Sequence, residues 1–345
     1  MRLIHWVQIF SPGNVSGMIT SIRELLEAEI RVLGVKNVGI CDAVQREGKT
    51  YYNLTQRSLP TLPWSSALSD PDAVHIIHTY CPQAIYDMKR KIFFSHGTPE
   101  YIWWDDIYRM SPPVWWQMTT LARQCDATVC WFKRDTEFWE ELTKGKVRTI
   151  RRGVDLSYWV LEGNRLDLYG THPHLLYADA NRLLKLPFTL LFAIKKVQRV
   201  YPLAYLKLIL TDPPRDVAWS NLVTRLDIEH FVPISFGMIP DLRDLYRSVD
   251  MGVSPVMWGL LSRVPMELMA SGTPVICYRG TDDQPIHGIR VEDSPEALAG
   301  GIIKLWERIQ ADLYGERLKA RKVAEKNYDI RNSAKDLIKV CEEVM

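Results

Sequence analysis

Short runs of β-branched and aromatic residues alternate along this chain with longer segments of helical period, and the whole alternation starts again after residue 172. No other feature restricts the fold as strongly, because a strand–helix–strand order favours parallel sheets covered by helices. LIHWVQI (3–9) reads as a strand, and Met18 to Leu33 then places Met18, Ile22, Leu25, Leu26 and Leu33 on one helical face. NVGIC, AVHIIHTY, KIFFSH, ATVCWF and VRTI follow as further strands. The second cycle has strands at HLLYAD (174–179), LKLILT (206–211), His230 to Ser235, MGVSPV (251–256) and PVICY (274–278). Its helices are expected over Phe188 to Val200, Asp241 to Ser248 and Pro265 to Ala270. Two successive doubly wound α/β sheets fit this order.

At 345 residues the chain is too long for one ordinary core, since single cores stop growing near about 250 residues. The segment from Gly153 to Pro173 has glycine, proline and little periodicity, as expected of an interdomain connection. The expected division is a domain over 1–160 and another over 161–327, with the C-terminal helix, about 328–345, able to pack back on the first. Ligands of open α/β sheets bind beyond the carboxyl ends of the strands, so two such sheets facing each other would share one central cleft.

Composition narrows the function. With 43 Lys+Arg against 41 Asp+Glu the formal net charge is +2, and the balance is 20 to 19 up to residue 170 and 23 to 22 beyond it. Such a chain has no global field for nucleic acid, and a polyanion would need a local patch. Six cysteines (41, 81, 125, 130, 277, 341) show no CxxC spacing and sit mostly in apolar runs, which suits reduced thiols in a cytoplasmic protein better than a disulfide frame or a zinc site. The opening MRLIHWVQIFSPG is broken too early for a signal sequence, and no uninterrupted apolar stretch approaches a membrane span. Peripheral membrane contact stays open. The 12 tryptophans include two adjacent pairs, Trp103-Trp104 and Trp115-Trp116.

The second half contains, in order, NRLLKLPFTLLFAIKKV, SFGMIPDLRDLYRSVDMGVSPV and PMELMASGTPVICY, and the first half closes on IRRGVDLSYW. Together these resemble the GT-B fold glycosyltransferases, particularly glycosyltransferase family 4, whose N-terminal domain closes on a similar "NGVD…F" segment. The likeness covers roughly residues 146–280. It implies two Rossmann-like domains facing a central cleft, an acceptor domain followed by a nucleotide-sugar donor domain.

The resemblance also assigns residues. Arg182 and Lys185 hold the place of a basic pair that binds the donor diphosphate, and cations there would stabilise the charge that develops on a departing diphosphate without a metal. Glu267 corresponds to the second glutamate of an E-x7-E motif that accepts both ribose hydroxyls; a helix starting at Pro265 would keep this carboxylate in its first turn, beside the positive helix end. Backbone amides of Leu261, Ser262 and Arg263 lie just ahead, where a phosphate finds unpaired donors. Where the family has its first glutamate this chain has Gly259, and Ser262 replaces a family glycine. Gly237, Met238 and Ile239 match a turn beside the base. His96, at the end of FSHGTP, matches a cleft histidine that could donate a hydrogen bond to a sugar hydroxyl or relay a proton from the acceptor. Gly13 and Gly17 in SPGNVSGM resemble the family's first loop, with Gly17 toward the donor and Gly13 toward the acceptor; Trp103 and Trp104 fall on the acceptor side. His75 and His78, three apart on a strand, point to opposite faces and read as structural.

The expected activity is a hexosyltransferase-type transfer of sugar from a UDP-, GDP- or ADP-sugar to an unidentified acceptor, retaining and independent of metal, with no cofactor. The acceptor could be a glycan, a lipid-linked sugar, a small molecule or, less readily, protein or modified nucleic acid. Gly259 and Ser262 motivate a rival, a degenerate GT-B module that binds a nucleotide or a partner without transfer. An epimerase of nucleotide sugars on the same fold is a third reading.

Overall fold

The computed structural model describes residues 1–7, 17–43, 50–52, 58–78, 83–96, 112–143, 146–168, 172–179, 188–210, 218–236, 239, 241–256, 262–281 and 284–345. They form two units, Met1–Gly153 with Asp329–Met345, and Val154–Tyr328.

In the first unit β1 (Leu3–Val7), β2 (Val38–Asp42), β5 (Val74–Ile77), β6 (Lys91–Ser95), β7 (Ala127–Cys130) and β8 (Lys146–Thr149) make a six-stranded sheet in the order β2-β1-β5-β6-β7-β8. Every pairing in it is parallel. The short β3 (Thr50–Tyr52) and β4 (Ser58–Pro60) pair antiparallel beside it. Helices α1 (Gly17–Leu33), α2 (Trp64–Leu68), α3 (Pro112–Arg123) and α4 (Arg134–Thr143) connect the strands. All five residues of β1 are buried, as expected of a strand covered on both faces. Successive side chains take opposite faces. Ile4 and Trp6 join a cluster with Phe93, Leu121 and Trp139, while Val7 packs on Ile22 and Leu26 of α1.

The second unit repeats the plan. Strands β9 (His174–Asp179), β10 (Tyr205–Leu210), β11 (Ile234–Phe236), β12 (Met251–Ser254), β13 (Val275–Tyr278) and β14 (Gly288–Val291) lie in the order β11-β10-β9-β12-β13-β14. Again each pairing is parallel. Helices α5 (Phe188–Val197), α6 (Ala218–Arg225), α7 (Arg243–Ser248), α8 (Arg263–Ala270), α9 (Pro295–Ala311) and α10 (Leu313–Asn327) cover it. Leu175 and Tyr177 of β9 face a core shared with α5 and α9, and Leu176 and Ala178 face one shared with α8 and α10. Both strand orders start centrally and wind outward in two directions, the doubly wound arrangement read from the sequence. Strand β14 and helices α9 and α10 extend that reading. The last helix, α11 (Ile330–Glu343), belongs to the first unit, where Ala334, Leu337, Ile338 and Cys341 are buried and Glu343 pairs with Arg148 at 2.7 Å.

One glycine at the start of β14 is a backbone requirement. Gly288 has φ of 145°, and a Cβ there would sit 1.8 Å from the carbonyl oxygen of Val275. Gly288→Ala is expected to cost roughly 2 kcal/mol or more. Gly300→Ala, on α9 with nothing within 4 Å of the added carbon, should instead gain up to about 1 kcal/mol. Urea midpoints that move together for the two variants would contradict this.

Candidate functional site

In the second unit the site is built where α8 follows β12. Ser262 has extended backbone and acts as N-cap, so the helix starts at Arg263 and not at Pro265. Proline fits the third helical position because the first-turn N–H groups have no intrahelical partner anyway. Glu267 is therefore the fifth helical residue, beyond the first turn, and the helix dipole is not its main counter-charge. Arg263, one turn earlier on the same face, supplies that charge: its Nε donates to Glu267 Oε1 within the buried interior. The hydroxyl of Tyr246, on α7, donates to Glu267 Oε2 at 3.3 Å. Tyr246 in turn stacks on Trp159, with ring centroids 5.1 Å apart, and its carbonyl accepts from Thr273 Oγ1 at 2.6 Å. Burial first, and Glu267 second, push the Tyr246 phenol well above its ordinary range, so it stays a donor. The carboxylate is oriented from two sides. Each carboxylate oxygen can accept more than one hydrogen bond, so these bonds are compatible with a diol.

Ser262 is buried, and its Oγ has no hydrogen-bond partner among the described residues. The Ser262 side chain makes no capping bond to the helix it begins. Ile239 packs against the core cluster that contains Leu245 and Met266. It also lines a hollow of about 350 Å³ with Tyr205, Lys207 and Ser235. Arg182, Lys185, Gly237, Met238 and Leu261 lie outside the described residues, as do Gly259 and, in the first half, Gly13, Trp103 and Trp104. Gly17 is the first residue of α1.

In the first unit His96 follows β6 and belongs to a continuous row of side chains. Trp131 Nε1 donates to His96 Nδ1 at 3.3 Å, and His96 Nε2 lies 2.6 Å from His78 Nδ1. His78 Nε2 lies 2.9 Å from His5 Nδ1, and His5 Nε2 is 2.8 Å from Glu29 Oε2. The row crosses neighbouring strands of the sheet, from His5 on β1 to His78 just after β5, His96 just after β6 and Trp131 just after β7. Both ring nitrogens of His96 are thus engaged within its own unit. Burial above all, then Arg152 and His5, pushes its pKa down to about 3, and burial with His96 and His5 pushes His78 well below the ordinary range. Both are neutral imidazoles. His75 does point the other way, accepting from Trp6 Nε1 at 3.1 Å.

In the linear sequence these histidines stand apart, and nothing in the motifs points to His5, Trp131 or Tyr246. A signal for Glu29 is present: it lies seven residues after Ile22 and three after Leu26, on the buried face of α1, and is itself fully buried. A charged residue at a core position calls for a partner. His5 supplies it because residues 5 and 7 of β1 share the face that α1 covers. Nothing in the linear order announces His78 beside His5, since that contact comes from β1 pairing with β5.

Among the described residues, one group has metal-ligand spacing: atoms of His172, His174 and Asp250 lie within 4.8 Å of one another. His174 and Asp250 stand at the amino ends of β9 and β12, the end of the sheet away from α8's start.

Acid should weaken the first unit. His75, held down to about 4 mainly by burial, and His96, held down to about 3, both titrate below an unfolded histidine near 6.5. Between those values the unfolded chain binds more protons, so their stabilisation is complete above the unfolded pKa and lost as pH falls. The slope is about 1.4 kcal/mol per pH unit for each histidine. Urea midpoints between neutral pH and pH about 5 should fall for the wild type and fall less steeply for His96→Asn; equal slopes would contradict the buried neutral state.

Residues 189–308 match the family described as Glycosyl transferases group 1. No curated protein shows a significant match to the chain. Among solved structures it is similar to sucrose-phosphate synthase from Thermosynechococcus elongatus, with TM-score 0.75 and 14% identity, over 100% of this chain and 99% of that one. It is similar to a glycosyltransferase from Rickettsia africae, with TM-score 0.66 and 18% identity over 99% and 98% of the two chains. It is also similar to HepE of Anabaena, solved in complex with UDP and glucose, with TM-score 0.68 and 13% identity over 99% and 100%. The chain has the GT-B fold, and residues 189–308, within its second unit, are similar to the Glycosyl transferases group 1 family.

Proposed function

We propose that this protein is a glycosyltransferase that uses a nucleotide-diphosphate sugar as donor. The observation that carries the reading is Glu267. It is a buried carboxylate held by Arg263 and Tyr246 at the carboxyl side of β12, inside the segment that matches a glycosyltransferase family. A carboxylate oriented in this way suits two adjacent hydroxyls, the chemistry a ribose presents. The start of α8 beside it, where the Ser262 side chain makes no capping bond, suits a phosphate.

On this reading residues 161–327 hold the donor and residues 1–160 the acceptor. Arg182 and Lys185 stabilise the leaving diphosphate, the amides of Leu261, Ser262 and Arg263 bind its oxygens, and Gly237, Met238 and Ile239 cover the base. The transfer is of hexosyl type, independent of metal, and retaining in the manner of family 4, with His96, Gly13, Gly17, Trp103 and Trp104 beside the reacting sugar and acceptor. Uracil heads the candidate bases, because HepE is a structural neighbour solved with UDP. Buried thiols at Cys41, Cys130, Cys277 and Cys341 suit a reducing compartment such as the cytoplasm. Among the described residues no helix is long and apolar enough to cross a membrane.

Gly259 favours a second reading, a nucleotide-binding module without transfer, since the family's first glutamate is absent. Two measurements decide. UDP-, GDP- or ADP-sugars are expected to raise the melting temperature of the wild type, and Glu267→Ala should abolish most of the shift; no shift with any nucleotide would sink the donor-binding reading. Slow donor hydrolysis that Arg182→Ala removes would eliminate the module reading, whereas donor binding without turnover would support it.

A further inference from the structure

We propose that Glu29, His5 and His78 form a proton relay behind His96, so that His96 presents an unprotonated Nδ1 to a hydroxyl of the acceptor and passes a proton inward to the Glu29 carboxylate. The inference rests on the transferase reading above and deepens it by naming the residues that take the acceptor's proton.

The direction follows from the two ends of the row. An indole N–H can only donate, so the atom it meets, His96 Nδ1, is an acceptor. A neutral imidazole then carries its hydrogen on Nε2, which faces His78 Nδ1. His78 must likewise carry its hydrogen on Nε2, facing His5 Nδ1, and His5 on Nε2, facing Glu29. An ionised carboxylate can only accept. The indole fixes the three Nε2–H tautomers, and the 2.8 Å approach of His5 Nε2 to Glu29 Oε2 agrees with them, while reversing any ring would set two donors or two acceptors against each other. Of the two roles expected of His96, donation to a sugar hydroxyl and relay of the acceptor's proton, this tautomer fits the second, because its outward nitrogen receives.

Two features of the row exceed what a structural network needs. Glu29 is fully buried, with Oε1 lacking a partner among the described residues and Oε2 close to His5 but off the line of a straight hydrogen bond. Leaving a carboxylate oxygen buried and unpaired is costly, and a proton delivered there relieves the cost. At the other end, the Trp131 bond, at 3.3 Å, is longer than a typical N–H donor contact, and His96 is partly exposed where its partners His78 and His5 are buried. A hydroxyl can replace the indole at that nitrogen.

The acceptor O–H bond breaks as its proton binds His96 Nδ1. The Nε2 proton of His96 moves to His78 Nδ1, that of His78 Nε2 to His5 Nδ1, and that of His5 Nε2 to Glu29 Oε2. The electron pair left on the acceptor oxygen forms the new bond to the sugar carbon, whose bond to the diphosphate oxygen breaks with its pair leaving on the diphosphate. Every imidazole begins and ends neutral, so no charge is stranded in the apolar interior. After product leaves, the proton returns outward along the same path to water. Among the described residues, the charged and titratable groups of other segments that interact with the row are Arg152, which acts on His96, and Cys341 of α11, on which Glu29 acts.

Nitrogen-resolved NMR of the 15N-histidine-labelled full chain tests the polarity without any substrate. His5, His78 and His96 are expected to be protonated on Nε2, and Nδ1 protonation of any one overturns the relay. Function is tested with Glu29→Gln, whose carbonyl can still accept from His5 and hold the row in place but cannot take up a proton. With water as acceptor and the donor that gives the largest thermal shift as probe, Glu29→Gln should lower kcat at least about tenfold, with the donor KM and thermal shift unchanged. His5→Gln breaks the path at a second point and should show the same split. Wild-type kcat in folded Glu29→Gln overturns the relay. If the wild type binds no donor, it is the transferase reading that fails, a different result from donor binding with undiminished turnover.

Discussion

Burial of parallel strands on both faces governs this molecule. Every side chain of β1 and nearly every one of β9 is enclosed by helices, so polar chemistry must gather at strand ends or be paired inside. Both candidate sites obey that constraint. Glu267 lies where a helix leaves the carboxyl side of β12, and the histidine row runs from the carboxyl ends of β7, β6 and β5 to a buried pair at the middle of β1. The face alternation that buries Val7 against α1 is also what sends His5 toward Glu29.

The two sites handle a buried charge differently. Glu267 has a cation one turn away and a phenol on the neighbouring helix, an arrangement that holds a carboxylate ionised and still. Glu29 has the His5 imidazole beside one oxygen and, among the described residues, no hydrogen-bond partner at the other. A paired carboxylate suits recognition of hydroxyls. One that is buried beside an imidazole suits the movement of a proton, because taking it up removes the buried charge.

Much of the architecture was legible in the linear chain. The period change from strand to helix and its restart after residue 172 identified two doubly wound sheets, since a strand buried on both faces must be written as an apolar run. Glu267 was legible as well, through its place in PMELMASG. The start of its helix was not, because proline at Pro265 is a strong helix-start signal while Ser262, three residues earlier, is the residue with cap geometry. Arg263 was read for its backbone amide alone; its side chain's contact with Glu267 depends on the extra turn that this earlier start provides.

By itself, then, the sequence determined the repeated α/β plan and the buried character of the strands, because these follow from periodicity and from residue types at fixed local spacing, while Glu267 was singled out by the resemblance of its segment to a family. Tertiary structure alone decided that β1 lies between β2 and β5, and with it that His5, His78, His96 and Trp131, separated by up to 126 positions, form one row. It also decided that Tyr246 reaches Glu267 across two helices. Strand order is set by which apolar faces pack best across the whole sheet, a long-range outcome that no local spacing encodes.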